Sequence, residues 1–280
     1  MGFVLGVLNP HAVELGSFVI HWYGVIIATA MLVAVHLSTH EAKKKGLEED
    51  IIIDLALWAI PIGFIGARLY YVLFELDYYL QNLGEIVAIW NGGIAIYGGL
   101  IAGGLALVGY AKKKDLSLAL ILDILAPNVL LAQSIGRWGN FMNQEAHGGP
   151  VTRQFLEDLY LPKFIIEQMR INGIYYHPTF LYESLWSLLG FVLIIALRNR
   201  KQLLRRGEVA LSYVLWYSVG RFFIEGMRTD SLWIGDWIRV SQALSLALFI
   251  GAIIVWVVRR QSYPPIPYYA DGKKAVKPAH

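Results

Sequence analysis

Seven apolar stretches of roughly 20 residues dominate this chain, each long enough to cross about 30 Å of hydrocarbon. They run approximately over 17–38, 51–74, 93–111, 116–135, 179–197, 208–227 and 238–258, and each gap holds a turn or charge signal. Hydrocarbon offers no hydrogen bonds to a peptide backbone, so segments of this length must satisfy their amides internally and are predicted to be helices. The expected fold is an all-α polytopic membrane protein: a bundle of seven transmembrane helices within residues 1–260, with strands only outside the spans. Composition agrees, since 56% of the 280 residues are hydrophobic, too many for an ordinary soluble domain of this length.

Charge sets the expected orientation. Lys43, Lys44 and Lys45 follow the first span, Lys112, Lys113 and Lys114 the third, and Arg198, Arg200, Lys201, Arg205 and Arg206 the fifth. Arg259, Arg260, Lys273, Lys274 and Lys277 follow the seventh. Sixteen of the 24 basic residues thus fall on one side, which the positive-inside rule makes cytoplasmic. The N-terminus is then outside and the C-terminus inside. The first sixteen residues hold no Lys or Arg, so the first span is expected to be a retained helix rather than a cleaved signal. Positions 261–280, rich in Pro and Lys, read as a flexible cytoplasmic tail. The longest non-spanning stretch, about 145–178, mixes charge with aromatics and is expected to form a small periplasmic lobe.

Orientation leaves eight basic residues unexplained: Arg68, Arg137, Arg153, Lys163, Arg170, Arg221, Arg228 and Arg239. Those inside spans are functional candidates, because hydrocarbon is a poor place for a guanidinium. Tyr217, Arg221, Glu225 and Arg228 lie within about an 80° arc of a helix at 100° per residue. They form either an internal ion-pair stripe or the lining of a cavity, and two arginines against one carboxylate leave a surplus suited to an anion. Arg137 sits in GRWGNFMNQEAHGGP, with Asn140, Asn143, Gln144 and Glu145 as further donors and acceptors. Its plain alternative is a helix end capped by polar side chains. Arg68 can snorkel to the interface, and Gly99 with Gly103 reads as close helix packing. Tyr97, just ahead of them, can hold a hydroxyl at a cavity edge or belong to an aromatic belt. Glu183, one turn into apolar sequence, needs a partner.

Several chemistries are excluded or disfavoured. The chain has no cysteine, so disulfides, thiolate metal sites and a cysteine nucleophile are out. The seven histidines include no H-E-x-x-H motif, so no metal is expected, and GxxxxGK[ST] is absent. No cofactor and no nucleic-acid partner is called for. An anion transporter or channel built on the same arginines is the alternative reading, although no internal repeat is visible.

GRWGNFMNQEAHGGP is similar to the signature of the bacterial prolipoprotein diacylglyceryl transferases, close to GR-x-GNF-x-N-x-E. HWYG at the first span, GARLYYV, the GGL of the third span, HPTFLYES and the Tyr217–Arg228 stripe also resemble family elements in family order, over roughly residues 17–258. The resemblance implies an inner-membrane enzyme of seven helices. It moves the diacylglyceryl group of phosphatidylglycerol to the lipobox cysteine thiol of a prolipoprotein signal peptide, forming a thioether and releasing glycerol phosphate. Carried over by motif are Tyr23, Arg137, Asn140, Glu145, Arg221 and Glu225, with Tyr217 and Arg228 beside them. Some members carry a His before the GGL of the third span where this chain has Tyr97, so a histidine base cannot be transferred here.

The residues suit that chemistry. Expelling a phosphate monoester builds charge on the leaving oxygen, and a preorganised donor aimed there contributes ~3–4 kcal/mol. Arginine grips phosphate through two parallel hydrogen bonds, as lysine cannot. Arg137 and Arg221 are therefore assigned to the headgroup phosphate, Glu225 to orienting Arg221, and Asn140 to the headgroup's oxygens. Glu145 is assigned to orienting or deprotonation. Tyr97, Tyr217, Arg228 and Arg68 complete the expected lipid-binding set, with acyl chains against apolar helix faces among the membrane lipids.

Overall fold

The computed structural model describes residues 8–16, 18–229, 231–235 and 237–271. A hairpin of β1 (His11–Leu15) and β2 (Phe18–His21) leads into α1 (Trp22–Lys44). Helices α2 (Ile51–Phe74) and α3 (Leu76–Gln81) follow, then two short 3₁₀ turns over Leu83–Val87 and Ile89–Asn91. Next come α4 (Ile96–Lys113) and α5 (Leu118–Asn143). A small α/β segment comprises β3 (Pro150–Val151), α6 (Arg153–Asp158), α7 (Lys163–Gln168), β4 (Arg170–Ile171) and β5 (Ile174–Tyr176). Helices α8 (Thr179–Arg198) and α9 (Glu208–Glu225) precede a second hairpin, β6 (Trp233–Ile234) with β7 (Ile238–Arg239), and α10 (Val240–Arg260) follows.

Among the described residues seven helices have 18 or more residues, matching the seven predicted spans in position. Five of them, α1, α2, α5, α8 and α10, are long and apolar enough to cross a membrane. The other two fall short for a legible reason. Glycines dilute α4, which ends on Lys112 and Lys113, and α9 carries Glu208, Arg221 and Glu225. Two boundaries differ from expectation. The first helix begins at Trp22, behind a hairpin whose strands exchange backbone bonds. The fourth runs on through the signature to Asn143, because Trp138 and Phe141 give its last two turns an apolar face to bury.

The chain divides into two compact units. In the unit of residues 37–121, α2 and α4 meet backbone to backbone. A Cβ on Gly98 would stand 2.4 Å from the Gly66 carbonyl oxygen, and one on Gly66 would stand 2.2 Å from the Ala102 Cβ. Gly99 and Gly103 continue the same seam, as the small-residue spacing predicts.

The other described unit, residues 8–36 and 122–271, contains the segment expected to be a lobe. Its core is Leu156, Ile165, Ile166 and Met169 packed on Phe141 of α5 and Phe180 of α8, each such side chain stabilising the fold by roughly 1.5–3 kcal/mol. Strand β5 pairs antiparallel with both β3 and β4. Gln168, 1% exposed, donates to the Phe141 carbonyl at 3.1 Å and so satisfies an orphan acceptor at the end of α5.

Residues 261–271, expected to belong to a flexible tail, are anchored instead. The Tyr269 amide donates to Leu204 O at 2.8 Å, the Arg206 amide donates to Pro267 O at 2.9 Å, and the Tyr269 ring is buried. An aromatic side chain with a burial site outweighs the prolines around it. Positions 272–280, including Lys273, Lys274 and Lys277, lie outside the described residues.

Candidate functional site

Three helix ends of one unit converge on a carboxylate. Gln133, Arg137 and Asn140 occupy one face of α5 at helical spacing, while Trp138 and Phe141 pack with Leu156, Ile165, Ile166 and Met169. Gly139 lies against the Tyr23 ring of α1, where a Cβ would come within 2.8 Å, so α1 and α5 approach closely at this level. Past Asn143 the backbone enters the left-handed region at Gln144 (φ 53°) and Ala146 (φ 56°). Thr179 takes the Ala146 carbonyl at 2.6 Å. Gly148 and Gly149 then bond to His177 O and Met227 O, both at 3.1 Å. Gly148 must be glycine, since a Cβ would stand 2.7 Å from the His177 Cβ. This backbone staple holds the signature loop against the turn carrying Arg228.

Helices α8 and α9 are locked by a reciprocal tryptophan pair. The Trp186 and Trp216 rings stack at 4.3 Å, and each indole N–H donates to the other residue's carbonyl, at 3.0 and 2.9 Å. Each ring covers a glycine of the opposite helix, Gly220 under Trp186 and Gly190 under Trp216. This clamp fixes Glu183, one turn from Trp186, opposite Arg221.

Glu183 is the hub. It is 7% exposed and pairs with three guanidinium groups: Arg137 in close contact, Arg221 at 3.4 Å and Arg228 at 3.9 Å. Arg221 also meets Glu225, 3% exposed, at 2.7 Å. That contact is charge to charge rather than an aligned hydrogen bond, since the facing carboxylate oxygen has no hydrogen-bond partner. Arg137 donates to Asn140 Oδ1 at 3.3 Å, and Asn140 Nδ2 donates to Glu145 at 2.8 Å. Tyr23 lies within electrostatic reach of both Glu145 and Arg137. Three guanidinium groups therefore face two buried carboxylates, with the exposed Glu145 one amide away. Arg137, Glu183, Trp186, Tyr217, Gly220 and Arg221 line a small cavity of about 20 Å³. An anion there would meet preorganised donors in a water-poor setting, where such contacts are strongest.

The structure thus brings together Tyr23, Arg137, Asn140, Glu145, Tyr217, Arg221, Glu225 and Arg228. Arg228 arrives on the turn after α9, which ends at Glu225, not on the helical stripe itself. Glu183, which in sequence needs only a partner, is the residue that the expected site lacks; the two polar residues Tyr182-Glu183 inside an apolar run are its available signal. Arg68 and Tyr97 belong to the other unit. Arg68 is buried and donates to four carbonyls, Glu85, Ile86, Gly92 and Gly93, at 2.5–2.9 Å, with its guanidinium over the Tyr79 ring. It organises the 85–93 loop rather than snorkelling. Tyr97 stands in the first turn of α4, half-exposed. Among the described residues no group of three or more His, Asp or Glu side chains is arranged to hold a metal ion.

Comparison with known proteins agrees with the motif. Residues 10–258 match the model of the family described as prolipoprotein diacylglyceryl transferase. A phosphatidylglycerol–prolipoprotein diacylglyceryl transferase of Lactobacillus johnsonii is 59% identical over 265 residues, covering 95% of each chain. The proteins of the same name from Lactobacillus acidophilus and Listeria monocytogenes are each 56% identical, over 266 and 272 residues, covering 95% of each chain and 96% and 97% respectively.

Proposed function

The chain belongs to the prolipoprotein diacylglyceryl transferase family, and from that premise we propose that the Glu183-centred cluster is where phosphatidylglycerol is held and cleaved. The protein is a transferase. It moves the diacylglyceryl group of phosphatidylglycerol to the cysteine thiol of a prolipoprotein lipobox. A sulfur–carbon bond forms at the glycerol carbon, the carbon–oxygen bond to phosphate breaks, and glycerol phosphate leaves with the electron pair.

The observation that carries the assignment is the convergence of Arg137, Arg221 and Arg228 on one carboxylate beside a cavity. Arg137 and Arg221 take the headgroup phosphate and stabilise charge on the leaving oxygen. Glu183 and Glu225 hold those guanidinium groups in position before the lipid arrives, so little reorganisation accompanies binding. Asn140 reaches the headgroup oxygens. Glu145 is exposed and engaged by an amide rather than by a guanidinium in the contacts described, which makes it the carboxylate best placed to take the thiol proton; Tyr23 borders the same space. Tyr97, with an ordinary phenol pKa near 10, is a poor base at neutral pH.

The seven long helices form the membrane domain of a bacterial cytoplasmic membrane protein, with the Lys- and Arg-rich loops cytoplasmic and the N-terminus outside. The cluster and the 145–178 lobe then sit at the periplasmic face, where a secreted preprotein presents its cysteine. The test is direct. Purified protein, phosphatidylglycerol and a lipobox peptide should give a peptide heavier by one diacylglyceryl group, with glycerol phosphate released in equal amount. Phosphatidylglycerol consumption or flux without thioether product would overturn the proposal.

A further inference from the structure

A second cavity, of about 150 Å³, lies along the seam of α9 and α10, lined by Ser218, Val219, Phe222 and Phe223 from the first and Ser245, Leu246 and Phe249 from the second. Two observations indicate a ligand that is apolar along most of its length and polar at one point. The Ser218 side chain is 1% exposed, borders this groove, and its hydroxyl has no hydrogen-bond partner among the described residues. A buried hydroxyl left unpaired is a cost that a bound acceptor removes. The groove also carries an ordered gradient. Arg221 Nη2 donates to Ser241 Oγ across the seam at 3.4 Å, and Gln242 donates to Phe222 O at 3.1 Å. About one turn further along each helix, roughly 5 Å, come Ser218 on α9 and Ser245 on α10; one more turn brings Phe249. Guanidinium, hydroxyl and aromatic surface follow one another in the order of phosphate, ester and alkyl chain in a phospholipid.

We infer that this groove seats one acyl chain of the phospholipid whose phosphate is held at Arg221, with the Ser218 hydroxyl donating to that chain's ester carbonyl. The inference rests on the phosphatidylglycerol reading above. Ser218 binds the lipid rather than acting on the reacting atoms: the ester contact is made equally before and during reaction, so its loss appears in KM.

Two measurements test it on the full chain in phosphatidylcholine nanodiscs. Phosphatidylglycerol with a diazirine in mid-chain should label the peptide containing Phe249. Unlabelled phosphatidylglycerol should displace the label, phosphatidylcholine should not, and the groove-filling Leu246→Trp should abolish it. Label spread over the helices and undisplaced by phosphatidylglycerol overturns the groove. Second, Ser218→Ala should raise KM for diester phosphatidylglycerol about tenfold with kcat within twofold, and leave the diether analogue, which lacks the carbonyl, unchanged. Equal losses on both lipids overturn the Ser218 contact. Labelling reports binding without turnover, so a saturable label with no thioether product sinks the transferase reading alone, and normal turnover with undirected label sinks the groove alone.

Discussion

Helices α5 and α9 each carry ionic residues at both ends, about 20 Å apart at 1.5 Å per residue, and the two ends are built on opposite principles. At the start of α9, Glu208 is 1% exposed and receives Arg260 through two nitrogens at 2.7 and 2.8 Å plus the Arg205 amide at 2.8 Å. Asp123 accepts the Gly207 and Ala210 amides at 2.5 and 2.9 Å, capping that helix, while Arg259 donates to Arg206 O at 2.6 Å. Every oxygen of these two carboxylates accepts a hydrogen bond. At the other end three arginines crowd one glutamate beside a cavity. Arginines whose carboxylate partners are fully hydrogen-bonded and whose spare donors go to backbone carbonyls close a structure; three guanidinium groups sharing one carboxylate beside a cavity leave capacity for an anion. The presence of arginine in an apolar chain is therefore not the functional signal. Its balance is.

The comparison breaks first if both ends respond alike to loss of arginine. Arg137→Ala and Arg221→Ala should each lower turnover by about 100-fold or more, while Arg260→Ala should stay within about threefold; thioether formation measured by mass spectrometry decides. Neutralising the hub sharpens it. Glu183→Gln leaves three guanidinium groups against Glu225 alone and should cost about 3 kcal/mol of stability together with activity. Asp123→Ala should instead lower stability by about 1–2 kcal/mol through loss of the cap, with turnover per folded molecule unchanged. Thermal unfolding in detergent beside activity separates the two.

Two smaller effects complete the contrast. Tyr97→Phe should reduce activity by less than either arginine change, and complete loss would restore position 97 as an acid–base group. Burial holds the His177 imidazole below its ordinary 6.5. As pH falls past that value the unfolded chain takes the proton first, so stability present above 6.5 is lost as pH drops toward the folded value. His177→Gln should flatten that slope in a pH series of unfolding temperatures.

Much of this was legible in the sequence, and the remainder has physical causes. Length and hydropathy place the seven long helices along the chain, five of them long and apolar enough to cross a membrane. The Arg221–Glu225 pair is local, so helical periodicity reveals it. The Glu183 pairings to Arg137 and Arg221 cross 46 and 38 residues, and no local spacing encodes them. Arg68 illustrates the opposite error. It reads as a free cation in sequence, yet four carbonyls of a loop 17 to 25 residues away take its donors. The anchoring of 261–271 was equally hidden, since Pro and Lys content announces a tail while Tyr269 finds its burial site only in three dimensions.

The most direct test measures affinity rather than rate. Binding of a non-hydrolysable phosphatidylglycerol analogue, followed by native mass spectrometry or calorimetry in nanodiscs, should weaken at least tenfold in Arg137→Ala and in Arg221→Ala and stay unchanged in Arg260→Ala. Equal affinity in all three variants would contradict the claim that the surplus arginines at Glu183 hold the lipid's phosphate.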